Sequence, residues 1–86
     1  MMLRRNIYEI KQDVLGALIF NGALNLTNIA TIANINSNKL KKLLEKLNDD
    51  GLIIHKSTIK SDSLYLVTSK GLKIYRKTKN QVFLIR

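Results

Sequence analysis

The sequence predicts a small, mainly helical α+β domain: three helices, a two-stranded hairpin and a closing helix. Three observations predict it. Apolar residues recur at spacings of three and four through residues 3–20 and again through 40–47, which aligns them along one face of a helix. Two capping residues, Thr27 and Ser37, stand ten positions apart with a short apolar stripe between them. Two β-rich runs, 52–56 and 64–68, flank a polar stretch suited to a hairpin tip.

In the first helix Leu3, Ile7, Ile10, Val14, Ala17 and Leu18 form the inward stripe, with Arg5, Glu9, Gln12 and Gly16 opposite. Asn21 and Gly22 supply turn chemistry, and Leu24 and Leu26 read as a short extended bridge. Thr27 then caps a short second helix over 28–33, whose stripe is Ile29, Ile32 and Ala33. Asn34, Ile35 and Asn36 break it, because asparagine tolerates turn conformations.

Ser37 caps a third helix running to about Asp50, with Leu40, Leu43, Leu44 and Leu47 inward and Asn38, Lys41, Lys42, Glu45 and Asp49 outward. Gly51 closes it. The hairpin follows, with a loose basic tip over 57–62. Thr68 or Ser69 caps a fourth helix that reaches no further than about residue 83, carrying Leu72 and Tyr75 inward among Lys70, Lys73, Arg76 and Lys77. The apolar tail over 80–86 is a dimer or docking element in this reading.

Eighty-six residues fit one domain, 1–86, with one core. The absence of cysteine excludes disulfide scaffolds, thiolate metal sites and cysteine nucleophiles, and fits a cytoplasmic or nucleoid-associated protein. The longest apolar run, Val14 to Phe20, is seven residues. A membrane span needs roughly 20. After Arg4 and Arg5, the residues Glu9, Lys11 and Asp13 interrupt any apolar core of a secretory signal.

Fifteen basic against six acidic residues, a net charge of +9, make a polyanion the first partner to consider. The charge is unevenly placed: residues 1–20, 39–50 and 51–68 carry +1 each, and residues 69–86 carry +6. The excess therefore speaks for nucleic-acid affinity in general more than for any one reading element.

Helix, short helix, tight turn, helix, hairpin, helix is the element order of a winged helix-turn-helix, and Ile35 is placed to plug the crossing of the second and third helices. Arg4-Arg5, Ala33-Asn34-Ile35-x-Ser37, Leu40-Lys41-Lys42-Leu43-Leu44, Asp50-Gly51-Leu52-Ile53 and Tyr65-x-Val67-Thr68-x-x-Gly71 occur in order. With these the sequence resembles, over residues 4–77, the small archaeal winged-helix DNA-binding proteins, some of them encoded by viruses and plasmids. That resemblance implies double-stranded DNA as partner. In that group a long last helix often pairs into a coiled-coil dimer.

A recognition helix enters the major groove with its first turns foremost, which singles out Asn36, Ser37, Asn38, Lys41 and Lys42, with Lys39 and Lys46 on the flanks. Asparagine bonds the adenine edge bidentately and lysine donates to guanine or phosphate. Lys56, Ser57, Thr58 and Lys60 would set the wing on a neighbouring backbone or minor groove, and Arg4, Arg5, Lys11 and Lys70 are candidate phosphate contacts. Leu3, Tyr75, Val82, Phe83 and Ile85 are candidates for a homodimer interface, with closure of the core the competing role.

The lone His55 has no second histidine or cysteine to share a metal, Asp49 and Asp50 look like solvated helix-end residues, and the four glycines form no phosphate loop. No enzymatic activity, cofactor, metal or small-molecule effector is expected. The function expected is a DNA-binding transcriptional regulator. A protein-interaction module of a transcription or replication assembly and a non-specific chromatin protein are the alternatives, since one fold hosts all three.

Overall fold

A computed structural model describes residues 5–57 and 63–85, the stretch 79–85 by its backbone alone. The elements are α1 (Ile7–Asn21), α2 (Leu26–Ala33), α3 (Ser37–Asp49), β1 (Ile53–Lys56), β2 (Leu64–Val67) and α4 (Ser69–Ile85). This is the mainly helical α+β order expected, with boundaries moved by the caps. Leu3 and Arg4 lie outside the described residues, as do Thr58 and Lys60. Nothing is described of the side chains of Val82, Phe83 and Ile85.

The first helix starts four residues later than its apolar period suggests, because Asn6 and Glu9 form a capping box: the Asn6 side chain accepts from the Glu9 amide at 2.8 Å, and the Glu9 carboxylate accepts from the Asn6 amide at 3.3 Å. Ile7, expected inward, is consequently in the first turn and 58% exposed. Further along, five consecutive residues, Val14 to Leu18, are buried. A helix with a single apolar face cannot bury five in a row. Here α1 packs against three elements, α2, β2 and α4. Leu15 is therefore a core residue the one-face reading omits, and Gly16 lies beneath the Tyr75 hydroxyl rather than facing solvent.

Asparagines, not Thr27 and Ser37, cap the next two helices. Asn25 accepts from the Asn28 amide and Asn36 from the Asn38 amide, each at 2.8 Å. Leu26 is thus the first residue of α2, and Thr27 sits inside it with its carbonyl accepting from the Thr31 hydroxyl. The buried stripe is Ile29 and Ala33, and Ile32, expected inward, is half exposed, on the edge of the face that meets the core. Asn34 ends α2 in the left-handed conformation, φ 54° and ψ 58°, a geometry asparagine accepts more readily than most residues. Ile35 packs partly buried against the core between α2 and α3.

The core joins Val14, Leu15 and Leu18 to Ile29, the α3 stripe Leu40, Leu43, Leu44 and Leu47, and Leu52 and Ile53 at the entry to the sheet. β1 and β2 pair antiparallel with His55 opposite Tyr65 and Lys56 opposite Leu64. Leu24, between α1 and α2, forms a bridge to Tyr65 through two backbone hydrogen bonds of 2.8 and 3.1 Å. Of the extended bridge expected at Leu24 and Leu26, only Leu24 forms it, because Leu26 already starts α2 behind the Asn25 cap. The bridge anchors the hairpin to the helical body.

Thr68 caps α4, accepting from the Gly71 amide while its hydroxyl donates to the Gly51 carbonyl. The helix continues to Ile85, so the apolar tail is helical rather than a separate segment. Gly71 is the buried residue of its first turn, and Ile74 and Tyr75 pack against the core. Tyr75 meets Phe20 edge to face, with ring centroids 6.5 Å apart. Its ring is thus engaged within its own chain, as core closure requires. Among the described residues no helix is long and apolar enough to cross a membrane.

Candidate nucleic-acid interface

The α3 sequence divides into four buried leucines and an outer surface on which Ser37, Asn38, Lys39, Lys41, Lys42, Glu45 and Lys46 are all exposed. The 3.6-residue period puts Asn38, Lys42 and Glu45 farthest from the leucine stripe, Lys41 on one flank, and Lys39 and Lys46 on the other. No ion pair ties any of these lysines to an acid among the described residues. The pair found there is Arg5 to Asp13.

Asn36 differs from its neighbours. Its side-chain oxygen accepts from the Asn38 amide as the N-cap, which holds the side chain against the start of the helix. Asn38, the second residue of α3, is exposed and keeps its side-chain amide for an external partner.

Arg5 is likewise engaged. Its guanidinium donates to the Asp13 carboxylate and the Ala33 carbonyl, both at 2.6 Å, and to the Asn34 carbonyl. These bonds clamp the start of α1 onto the turn of the α2–α3 pair, capping carbonyls that the end of α2 leaves unpaired. Its fork thus holds the turn and is not turned outward toward a phosphate. Lys70 donates to the Asp50 carbonyl at 3.0 Å and fastens α4 to the end of α3. Lys11 is half-buried beside α3, where it shares a groove with Lys39, Lys42 and Lys46.

In the wing, Lys56 and Ser57 are exposed at the end of β1. The His55 ring lies parallel to Tyr65, centroids 4.4 Å apart and planes 6° apart, so the histidine is part of the wing's packing. Burial pushes the Tyr65 phenol above its ordinary pKa, helped by the negative charge of Glu45. Among the described residues no group of three or more histidine, cysteine or acidic side chains could hold a metal.

A helix pair thus crosses at an asparagine turn and is followed by a two-stranded wing anchored to the helical body. A family model described as winged helix-turn-helix matches residues 4–84. The chain belongs to the winged helix-turn-helix family.

Solved structures carry the same winged helix. A MarR-family transcriptional regulator from Silicibacter pomeroyi superposes with a TM-score of 0.75 at 22% identity, over 80% of this chain and 47% of its own. BpsR of Bordetella bronchiseptica gives 0.80 at 19% identity, over 88% and 59%. The PcaV transcriptional regulator of Streptomyces coelicolor gives 0.75 at 23% identity, over 88% and 62%. The chain thus spans about half to three fifths of the length of these structures, and the likeness is one of fold. No match was found among curated protein sequences.

Within this winged helix the structure brings Ser37, Asn38, Lys41 and Lys42 onto one accessible surface. It separates Arg5 and Lys70, which hold elements together. Sequence reasoning missed Arg5 as a clamp, because its partners are 28 and 29 residues away. The spacing Asn6-x-x-Glu9 was a readable capping-box signal for the true start of α1.

Proposed function

We propose that this protein is a double-stranded DNA-binding transcriptional regulator in which α3 reads the major groove and the β1–β2 hairpin grips the neighbouring backbone. One observation carries the reading: α3 is fixed by its buried leucines and the Asn36 cap, and presents Ser37, Asn38, Lys41 and Lys42 exposed and without an acidic partner. A recognition helix needs that combination of rigid placement and free donors. DNA binding by this surface involves no chemical turnover, and its place is inside the cell. Kinship with the small archaeal group rests on the residue pattern alone.

A single winged helix reads few bases, so two copies on a two-fold site give the specificity a regulator needs. The far half of α4, carrying Val82, Phe83 and Ile85, is the segment proposed to pair them. The whole chain, 1–86, acts as one winged-helix unit in this reading.

The test is duplex binding by fluorescence anisotropy, followed by selection from a random library, for the wild type and Lys41→Glu/Lys42→Glu. The wild type binds and selection returns a motif, while the double variant loses binding at least tenfold. Equal weak binding by both proteins sinks the groove model. Tight binding without a selected motif makes the protein an architectural one instead.

A further inference from the structure

A groove of about 320 Å³ runs between the first turns of α1 and one flank of α3. On the α3 side it is lined by Lys39, Lys42, Leu43, Lys46, Leu47 and Asp50. Spaced three and four apart, these make one strip three turns long, about 16 Å at 1.5 Å per residue. On the α1 side stand Ile7, Tyr8 and Lys11. Ile7 and Tyr8 are 58% and 70% exposed, and Leu43 and Leu47 join them to the core.

We propose that this groove docks a partner protein through an amphipathic helix that carries acidic residues beside its apolar stripe. The shape asks for a helix: a stripe repeating at three and four residues finds a matching strip of three turns along α3. The charge asks for acids. Lys11, Lys39, Lys42 and Lys46 bring four ammonium groups to the rim against the single carboxylate of Asp50, and none of the four has an ion-pair partner among the described residues. Their aliphatic stems widen the apolar floor while the charged ends meet the partner's flanks. A nucleic-acid backbone would satisfy the ammonium groups and leave Ile7 and Tyr8 against water. The apolar anchors of a helix cover both.

The partner is not a second copy of this chain. Of its six acidic residues only Asp49 and Asp50 adjoin, and they stand at the end of α3 itself. Each of the other four has a lysine within two positions, so no segment of these 86 residues offers an acidic flank. The exposed pair is held ready for its partner, because the Asn6–Glu9 capping box and the Arg5 bonds to the α2–α3 turn fix the backbone of the first turn of α1. The groove lies on the flank of α3 away from Lys41, and Lys42 alone is shared with the residues proposed above to read DNA. The docking does not rest on that reading, and either can fail without the other.

The probe is a synthetic peptide of about three helical turns, with leucine and phenylalanine along one face and glutamate on both flanks. Its controls are a scrambled peptide of the same composition with no apolar face and a version with glutamine in place of every glutamate. Each is titrated into the full chain without nucleic acid and followed by amide NMR. Saturable shifts at Ile7, Tyr8, Leu43 and Leu47 with the first peptide, and at least tenfold weaker binding of both controls, support the site. Absence of saturation, or shifts confined to another face, overturns it. Equal binding of the scrambled peptide reduces the groove to a surface for any polyanion and also overturns it.

Two variants separate floor from rim. Ile7→Ser/Tyr8→Ala changes only exposed side chains, so the protein stays folded by circular dichroism and binds the peptide at least tenfold more weakly. Lys39→Gln/Lys46→Gln weakens it about tenfold, as expected for lost charge-assisted contacts, and the wild type shows a similar loss at high salt. Undiminished binding by either variant overturns the proposal. A short oligothymidylate provides the last comparison. If it shifts Ile7 and Tyr8 and binds more tightly than the peptide, the groove belongs to single-stranded nucleic acid and the partner proposed here is wrong.

Discussion

Gly71 lies so close to the Leu52 carbonyl that a β-carbon on it would fall well inside contact distance of the oxygen, and 2.8 Å from a Val67 methyl. The start of α4 thus rests directly on the backbone that enters the hairpin, and the same corner holds the Thr68 hydroxyl bond to Gly51. Because the obstacle is backbone, it cannot be relieved by a rotamer change. Gly71→Ala is expected to destabilise the fold by about 2–3 kcal/mol, the upper range for overpacking, read as a lowered urea midpoint. Gly22→Ala has open space around it and costs only the strain of its positive φ of 79°.

Arg5 provides a second test, since its guanidinium holds the α2–α3 turn. Arg5→Ala should cost about 1–2 kcal/mol of stability, and Arg5→Lys should fail to restore it, because a point charge does not reproduce the fork that reaches Asp13, Ala33 and Asn34 together. The salt dependence of DNA binding separates this role from a phosphate contact. Its slope should be unchanged in Arg5→Ala and reduced by roughly one in Lys42→Gln.

The caps give a paired comparison. Asn25→Ala and Asn36→Ala should each cost about 1 kcal/mol, while Thr27→Ala and Ser37→Ala stay within about 0.5 kcal/mol, by chemical denaturation. Equal losses at Asn36 and Ser37 would move the cap back to the serine.

The raised pKa of Tyr65 makes stability fall at high pH. The folded state holds the phenol proton more tightly than the unfolded chain, so this contribution is intact below the ordinary value near 10 and is lost as pH rises through the folded value. Melting temperatures measured from pH 8 to 11 should drop more in the wild type than in Tyr65→Phe. Parallel profiles would remove Tyr65 as the source.

For the proposed regulator, six phosphate contacts would make duplex affinity fall about a thousandfold between 50 and 200 mM salt. A loss under tenfold over that range would mean that few lysines reach phosphate.

The sequence by itself determined the element order, the leucine stripe of α3 and the turn between α2 and α3. Each is a local matter: periodicity writes Leu40, Leu43, Leu44 and Leu47 onto one face, and Asn34 and Gly51 stand where the chain adopts positive φ. Cap identity was local too, but adjacent candidates competed, and asparagines took the positions at 25 and 36. What only the tertiary structure decided lies between elements far apart in the chain. Five successive residues of α1 are buried because helices and sheet surround it, and Arg5 faces a turn 28 residues on. Gly71 is required by a carbonyl from another element, and Lys11 joins the lysines of α3 around one groove. Periodicity records which face of an element meets the core. It carries no record of which other element arrives there, and the clamp, the close approach and the groove all depend on that arrival.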